Sequence, residues 1–147
     1  MEKYVLDMAF ESVGSIGTNL CVRTGMSTPS GARNKVMRLR GTSAGTLYGG
    51  TVMPLGISIT GCSESGKQIL VRLIGIAKAK LAATSGTILQ GRYLRPASQG
   101  KVRFAGFGTP LGSIHAVVGR CVYAEGGGSA NGLVSVLVEP KLHSGAA

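Results

Sequence analysis

The residues most suggestive of chemistry lie at positions 61–67, Gly-Cys-Ser-Glu-Ser-Gly-Lys, a run with the glycine and lysine spacing of a phosphate-binding loop. In such a loop glycine-backed N–H groups cradle the phosphates and the lysine reaches them, while a Ser or Thr directly after the lysine holds Mg²⁺. Here the next residue is Gln68, which has no hydroxyl. The Asp that would complete the metal site from a second strand is missing too, because the one aspartate of the chain is Asp7. Glu64 adds a negative charge to the would-be cradle. The run therefore reads as the small-residue loop of a β-hairpin.

Other catalytic arrangements fare no better. The six acids stand at positions 2, 7, 11, 64, 125 and 139, too scattered for a general acid/base pair. His115 falls near Cys121, but no nucleophile motif surrounds either, so His115 reads as a strand residue satisfied by hydrogen bonds. His143, in the C-terminal Lys-Leu-His-Ser-Gly-Ala-Ala stretch, reads as solvated. Cys21, Cys62 and Cys121 are an odd number spaced far apart with no CxxC pair, which argues against both a zinc site and a disulfide framework and for inert, buried thiols. The expectation is a protein that is no enzyme and holds no cofactor and no metal.

Charge is the next signal. Sixteen Lys+Arg against six Asp+Glu leave +10, which asks for an acidic partner, either nucleic acid or an acidic protein surface. Between Ser12 and Val138 the only acids are Glu64 and Glu125, both in expected hairpin tips, so the strands are almost purely basic. Arg33, Lys35, Arg38, Arg40, Lys78, Lys80, Arg92, Arg95, Lys101 and Arg103 are the residues that would line a basic face. A small basic β-barrel binding nucleic acid is thus one reading. Against it, the chain has no Trp, and Tyr93, Phe104 and Phe107 are few for a base-stacking platform.

The elements that must carry these residues follow from a period of two. Ile69, Val71 and Leu73 fall on one face and Gln68 and Arg72 on the other; Lys78 and Lys80 alternate with Ala77, Ala79 and Leu81; Val134, Val136 and Val138 alternate with Leu133, Ser135 and Leu137. A helical stripe through Leu70, Leu73, Ile74, Ala77 and Leu81 is the rival, but Gly75 in its middle costs about 1 kcal/mol against Ala and the flanking Ile and Val favour strand. The 24 glycines fall mainly at strand ends and loop tips, and with 44% apolar residues the chain is folded and not a disordered basic tail. Residues 56–75 and 119–140 echo each other as strand, small-residue loop, strand. The fold expected is all-β, a small Gly-rich barrel or sandwich-like domain over 46–147. Residues 1–45 read either as an extended N-terminal arm or as the first strands of the same domain. Glu2 and Asp7 interrupt any apolar start, so no secretory signal is expected, and the Gly-, Thr- and Ser-rich stretch 41–63 is no bilayer-spanning helix.

A series of short motifs follows in a fixed order across 50–140. It runs Leu-Gly-Ile-Ser-Ile-Thr at 55–60, Ile-Leu-Val-Arg-Leu-Ile-Gly at 69–75, Ala-Ala-Thr-Ser-Gly-Thr-Ile-Leu at 82–89 and Tyr93, then Gly-Lys-Val at 100–102 and Thr-Pro-Leu-Gly at 109–112. Gly-Arg-Cys-Val-Tyr at 119–123 and Gly-Leu-Val-Ser-Val-Leu-Val-Glu-Pro at 132–140 close it. This order resembles that of the capsid decoration (cement) proteins of tailed bacteriophages, and the resemblance implies a homotrimer on the capsid exterior of a virion assembled in the host cytoplasm. Its implied partner is the major capsid protein, with no membrane, and its role is to brace the shell between capsomers against packaged DNA. The arm could then add a strand to a sheet edge of the capsid, with Arg33, Lys35, Arg38 and Arg40 meeting an acidic rim.

Overall fold

A computed structural model describes residues 4–24, 35–38, 54–82, 90–104, 114–124 and 132–144. Expectations placed on the stretches between them, including the motif at 109–112, most of that at 82–89 and the hairpin tip that holds Glu125, fall outside these residues. The protein is all-β. Its described residues form nine strands and one 3-10 turn, Ser98–Gly100. The strands are β1 (Leu6–Ser12), β2 (Cys21–Thr24), β3 (Lys35–Arg38), β4 (Gly56–Ser58), β5 (Gln68–Lys80), β6 (Tyr93–Pro96), β7 (Val102–Phe104), β8 (Ile114–Ala124) and β9 (Leu133–Ser144). Among the described residues no helix is long and apolar enough to cross a membrane.

The strand reading of 68–80 holds, and its two expected pieces are one strand of 13 residues. Ile69, Val71, Ala77 and Ala79 are buried while Gln68, Ile74, Ile76 and Lys78 are exposed, the alternation a half-buried strand requires. Gly75 carries φ +115°, which no helix uses and other residues rarely adopt.

That glycine marks a change of partners. The first half of β5 belongs to a closed ring: β1 pairs with β5, β5 with β4, β4 with β2, β2 with β3, and β3 returns to β1 through the ring's one parallel pair. The second half pairs with β9, followed by β8, β6 and β7. The bridge of Leu81 to Val102, with the Ala82 N–H donating to the Val102 carbonyl at 2.8 Å, brings this second set nearly to closure. Two small barrel-like rings thus share one long strand. Each has its own core: Phe10, Ile16, Val22, Ile69 and Val71 fill the first, while Leu81, Leu94, Val102, Val118, Val134, Val136 and neighbours fill the second. Five strands enclose a narrow interior that Val, Ala and Leu fill and Trp would overfill. Each fully buried Val, Leu or Ile contributes about 1.5–3 kcal/mol.

Of the region read as an arm or as first strands, the described part builds the first ring. β1 runs along β5 from Leu6 opposite Ile74 to Glu11 opposite Gln68, and Phe10, Ile16, Leu20, Cys21 and Val22 are buried. The corner at 17–20 is held by Ser58, itself fully buried. Its Oγ donates to the Gly17 carbonyl at 2.7 Å and accepts from the Leu20 N–H at 3.1 Å. A buried hydroxyl is tolerated because it is satisfied in both roles.

Both halves of the sequence echo are hairpins, β4/β5 and β8/β9. The echo extends to geometry: Gly56, the first residue of β4, and Gly119, midway along β8, each sit where the partner backbone is so close that a Cβ would fall on a carbonyl oxygen, that of Arg72 or of Leu137. β9 departs from expectation at its end. It continues to Ser144, so His143 is no tail residue but sits in register opposite His115 on β8. Pro140 interrupts nothing because the register shifts there: Glu139 and Pro140 stand against the single residue Val118, a bulge that spares the missing N–H.

Candidate functional site

Residues 61–67 show no cradle. The loop passes directly into β5 at Gln68, without the helix whose N-terminus a phosphate would need. Its N–H groups are turned to β1: Gly66 donates to the Ser12 carbonyl at 2.8 Å and Lys67 to the Ser12 Oγ at 3.2 Å. The loop is a tie between strands, as the hairpin reading expects. All three cysteines are free thiols; Cys21 and Cys121 are buried and Cys62 half-buried. Burial pushes the Cys21 thiol up to about 12 and raises that of Cys121, which makes both poor nucleophiles. Among the described residues no three His, Cys, Asp or Glu side chains converge as metal ligands would.

The expected partner-binding residues divide between described and undescribed parts. Arg33 and Arg40, and the side chains of Lys35 and Arg38, lie outside the described residues. The backbone of Lys35 and Arg38 is β3, which is paired with β1 on one edge and β2 on the other. Lys35 and Val36 pair with β1, and Val36 to Arg38 with β2, so each described position of the segment already has a sheet partner within this chain.

Basic residues do converge on the outer face of the second ring. Alternation along β6 turns Leu94 and Pro96 inward and Tyr93 and Arg95 outward, and on β7 buried Val102 leaves Arg103 outward. The register sets Arg95 directly opposite Arg103. Both side chains are half-buried, and the Nε of each is enclosed with no hydrogen-bond partner among the described residues. Burial, and then the facing charge of Arg103, lower the Arg95 pKa from the ordinary guanidinium value. On the neighbouring strands β8 and β9 the charges are matched: Arg120 Nη2 lies 3.5 Å and Lys141 Nζ 3.7 Å from the Glu139 carboxylate. Tyr93 sits between these groups, with the Lys141 ammonium 4.8 Å and the Arg120 guanidinium 5.8 Å from its ring centre. The chemistry such a face can offer is attraction of anions by fixed cations; its described residues include no nucleophile paired with a base. Of the residues gathered, the sequence pointed to Arg95 and Arg103, but their opposition across a ladder depends on the β6/β7 register.

Two further features were not read from the sequence. Asp7 and Arg72 form a two-pronged ion pair, Nε to Oδ1 at 2.8 Å and Nη2 to Oδ2 at 2.9 Å. The same guanidinium donates through Nη1 to the Ile76 carbonyl at 2.7 Å, so it braces β5 across Gly75. The Arg72 hydrogen bonds hold the Asp7 carboxyl below its usual range. Beside this brace lies exposed apolar surface: Leu6 pairs with Ile74, Ile76 pairs with Leu137, and Ile74 and Ile76 are each 51% exposed.

Among known proteins, no family model matches this sequence, and no curated protein matches it. A solved structure does match in fold. It is that of the head fiber gp8.5 N base in bacteriophage phi29, with a TM-score of 0.58 at 11% sequence identity, covering 95% of this chain and 99% of that one.

Proposed function

We propose that this protein is a structural component of a bacteriophage head, and within that class a decoration protein bound to the outside of the shell. It would sit between capsomers on the major capsid protein and brace the shell against the pressure of packaged DNA. The observation that carries the reading is the end-to-end fold likeness to a head-fiber base, 95% of one chain on 99% of the other. The order of motifs from 55–60 to 132–140, which resembles capsid decoration proteins, supports it independently.

The surface fits such a role. A basic outer face suits an acidic shell, and the exposed apolar strip around Leu6, Ile74 and Ile76 suits contact with further copies. We assign three copies to the assembled form, because linking weak contacts on a repeating lattice makes the second and third contacts intramolecular. The test mixes purified protein with emptied phage heads and, separately, with duplex DNA across a salt series. Saturable co-sedimentation with heads, and DNA retention that disappears as salt rises, is the expected result. Salt-resistant DNA binding without head binding would replace this reading with a nucleic-acid-binding module.

A further inference from the structure

The Arg95/Arg103 pair is an arrangement that the fold does not need for itself. Like charges directly opposite on paired strands destabilise a sheet, and here neither arginine is neutralised within the described residues. The chain has few means to do so. Of its six acids, Asp7 is engaged by Arg72, Glu139 by Arg120 and Lys141, Glu11 and Glu64 belong to the first ring and its loop, and Glu2 and Glu125 lie outside the described residues. Ordinary surface arginines escape this cost by extending into water. Arg95 and Arg103 are half-buried with enclosed Nε atoms, which holds them in place. Lys101, two residues before Arg103, adds a third cation at the same hairpin.

We propose that the outer face of the β6/β7 hairpin, through Arg95 and Arg103, is the docking site for carboxylates of an acidic segment of a partner protein. A guanidinium presents a planar fork that matches a carboxylate in two parallel hydrogen bonds, and two forks at fixed cross-strand spacing match adjacent carboxylates or one that bridges both. The partner brings the negative charge that the described residues of this hairpin lack, so docking removes a repulsion as well as adding contacts. Carboxylate fits better than the phosphates of a nucleic acid. A strand of nucleic acid asks for a track of free cations with open aromatic faces beside it. Here the neighbouring cations Arg120 and Lys141 already share Glu139, and the outward ring of Tyr93 is already approached by both. The inference takes the shell-binding reading above as its setting, where the acidic segment belongs to the shell protein, yet the site is testable without a shell.

The experiment measures fluorescence anisotropy of a labelled hexaglutamate peptide at low salt against the full-length protein, with a thymidine oligonucleotide of six phosphates in a parallel arm. The variants are Arg95→Gln with Arg103→Gln together, Arg103→Lys, and Arg120→Gln. The double variant should weaken peptide binding about tenfold or more, as expected for loss of charge-assisted hydrogen bonds. Arg103→Lys, which keeps the charge but loses the fork, should weaken it severalfold, and Arg120→Gln should leave it within about twofold. The melting temperature of the double variant should equal or exceed that of the parent, since it removes repulsion. A lowered melting temperature, equal losses in all variants, unchanged peptide affinity, or tighter arginine-dependent binding of the oligonucleotide would each overturn the proposal. Head co-sedimentation keeps the two ideas apart. If the parent fails to bind heads, the shell reading falls while the peptide result stands, and if the double variant binds heads like the parent, this site is not the shell contact.

Discussion

Replacing Gly119 by Ala tests the closeness of β8 and β9, the ladder on which the second core rests. An added Cβ would fall on the Leu137 carbonyl oxygen and stand 3.1 Å from the Glu139 nitrogen. Both are backbone atoms, so no side chain can rotate aside, and the strands must part by roughly 1 Å. That displacement loosens Val118 and Cys121 against Val136 and Val138, all at most 3% exposed. A second cost comes from φ +159°, at the margin of the region that side chains avoid. Gly91 separates the two costs: its φ is +80° but nothing lies within 4 Å of its Cβ position. Gly91→Ala should therefore show backbone strain alone, about 1 kcal/mol. Gly119→Ala should add overpacking for a total of about 2–4 kcal/mol. For a chain of this size that lowers the melting temperature by roughly 6–12 °C, against roughly 3 °C for the Gly91 control. Urea unfolding of parent and both variants, with unchanged m-values, measures the difference. If Gly119→Ala proves no worse than Gly91→Ala, the close approach of the two strands is refuted.

Two further outcomes follow from the titrating groups. The Asp7 carboxyl is held below the 3.8 of an unperturbed group, so its contribution to stability is complete above that value and is lost as pH falls through the lower folded value. Asp7→Asn should thus cost about 1 kcal/mol at pH 7, and the gap between variant and parent should narrow as pH falls below the unperturbed value and through the lower folded one, as read by urea midpoints; a gap unchanged at acid pH would show that charge is not its source. A thiol-specific reagent at neutral pH should label no more than Cys62 in the native protein and all three cysteines after denaturation, since Cys21 is 0% and Cys121 2% exposed. Rapid native labelling of two thiols would contradict the packing of the second core.

What the sequence disclosed is what a single strand or turn decides locally. The inward positions Ile69, Val71, Ala77 and Ala79 were legible because strand alternation is written residue by residue, and Val134, Val136 and Val138 likewise. The loop at 61–67 was legible because Gln68 and the lack of a second Asp deny it metal chemistry. Pairings were not legible. That β5 changes partners at Gly75 depends on contacts between residues dozens of positions apart, such as Asp7 with Arg72 and Ser58 with Leu20. The placement of His143 failed for the same reason: Pro140 reads as a strand end until a bulge opposite Val118 accommodates it. The candidate site was half visible, since Arg95 and Arg103 were named among ten basic residues but only the register sets them face to face.

The shared strand also changes how a docking role for the N-terminal region must be tested. Deleting residues 1–40 is the natural experiment for an arm, yet it would remove β1, β2 and β3 together and leave β4 and the first half of β5 with unpaired edges. It would also strip Phe10, Ile16 and Val22 from around Ile69 and Val71, and separate Arg72 from Asp7 at the point where β5 passes into the second ring. Because Cys21 belongs to the second core and the Lys80 N–H donates to the Asn19 carbonyl, the damage would not stop at the first ring. A loss of head binding after that deletion therefore reports unfolding as readily as a lost contact. Charge substitutions at Arg33, Lys35, Arg38 and Arg40 leave the backbone of β3 paired, and only they, set beside the Arg95/Arg103 variants, compare the two basic regions on an intact fold.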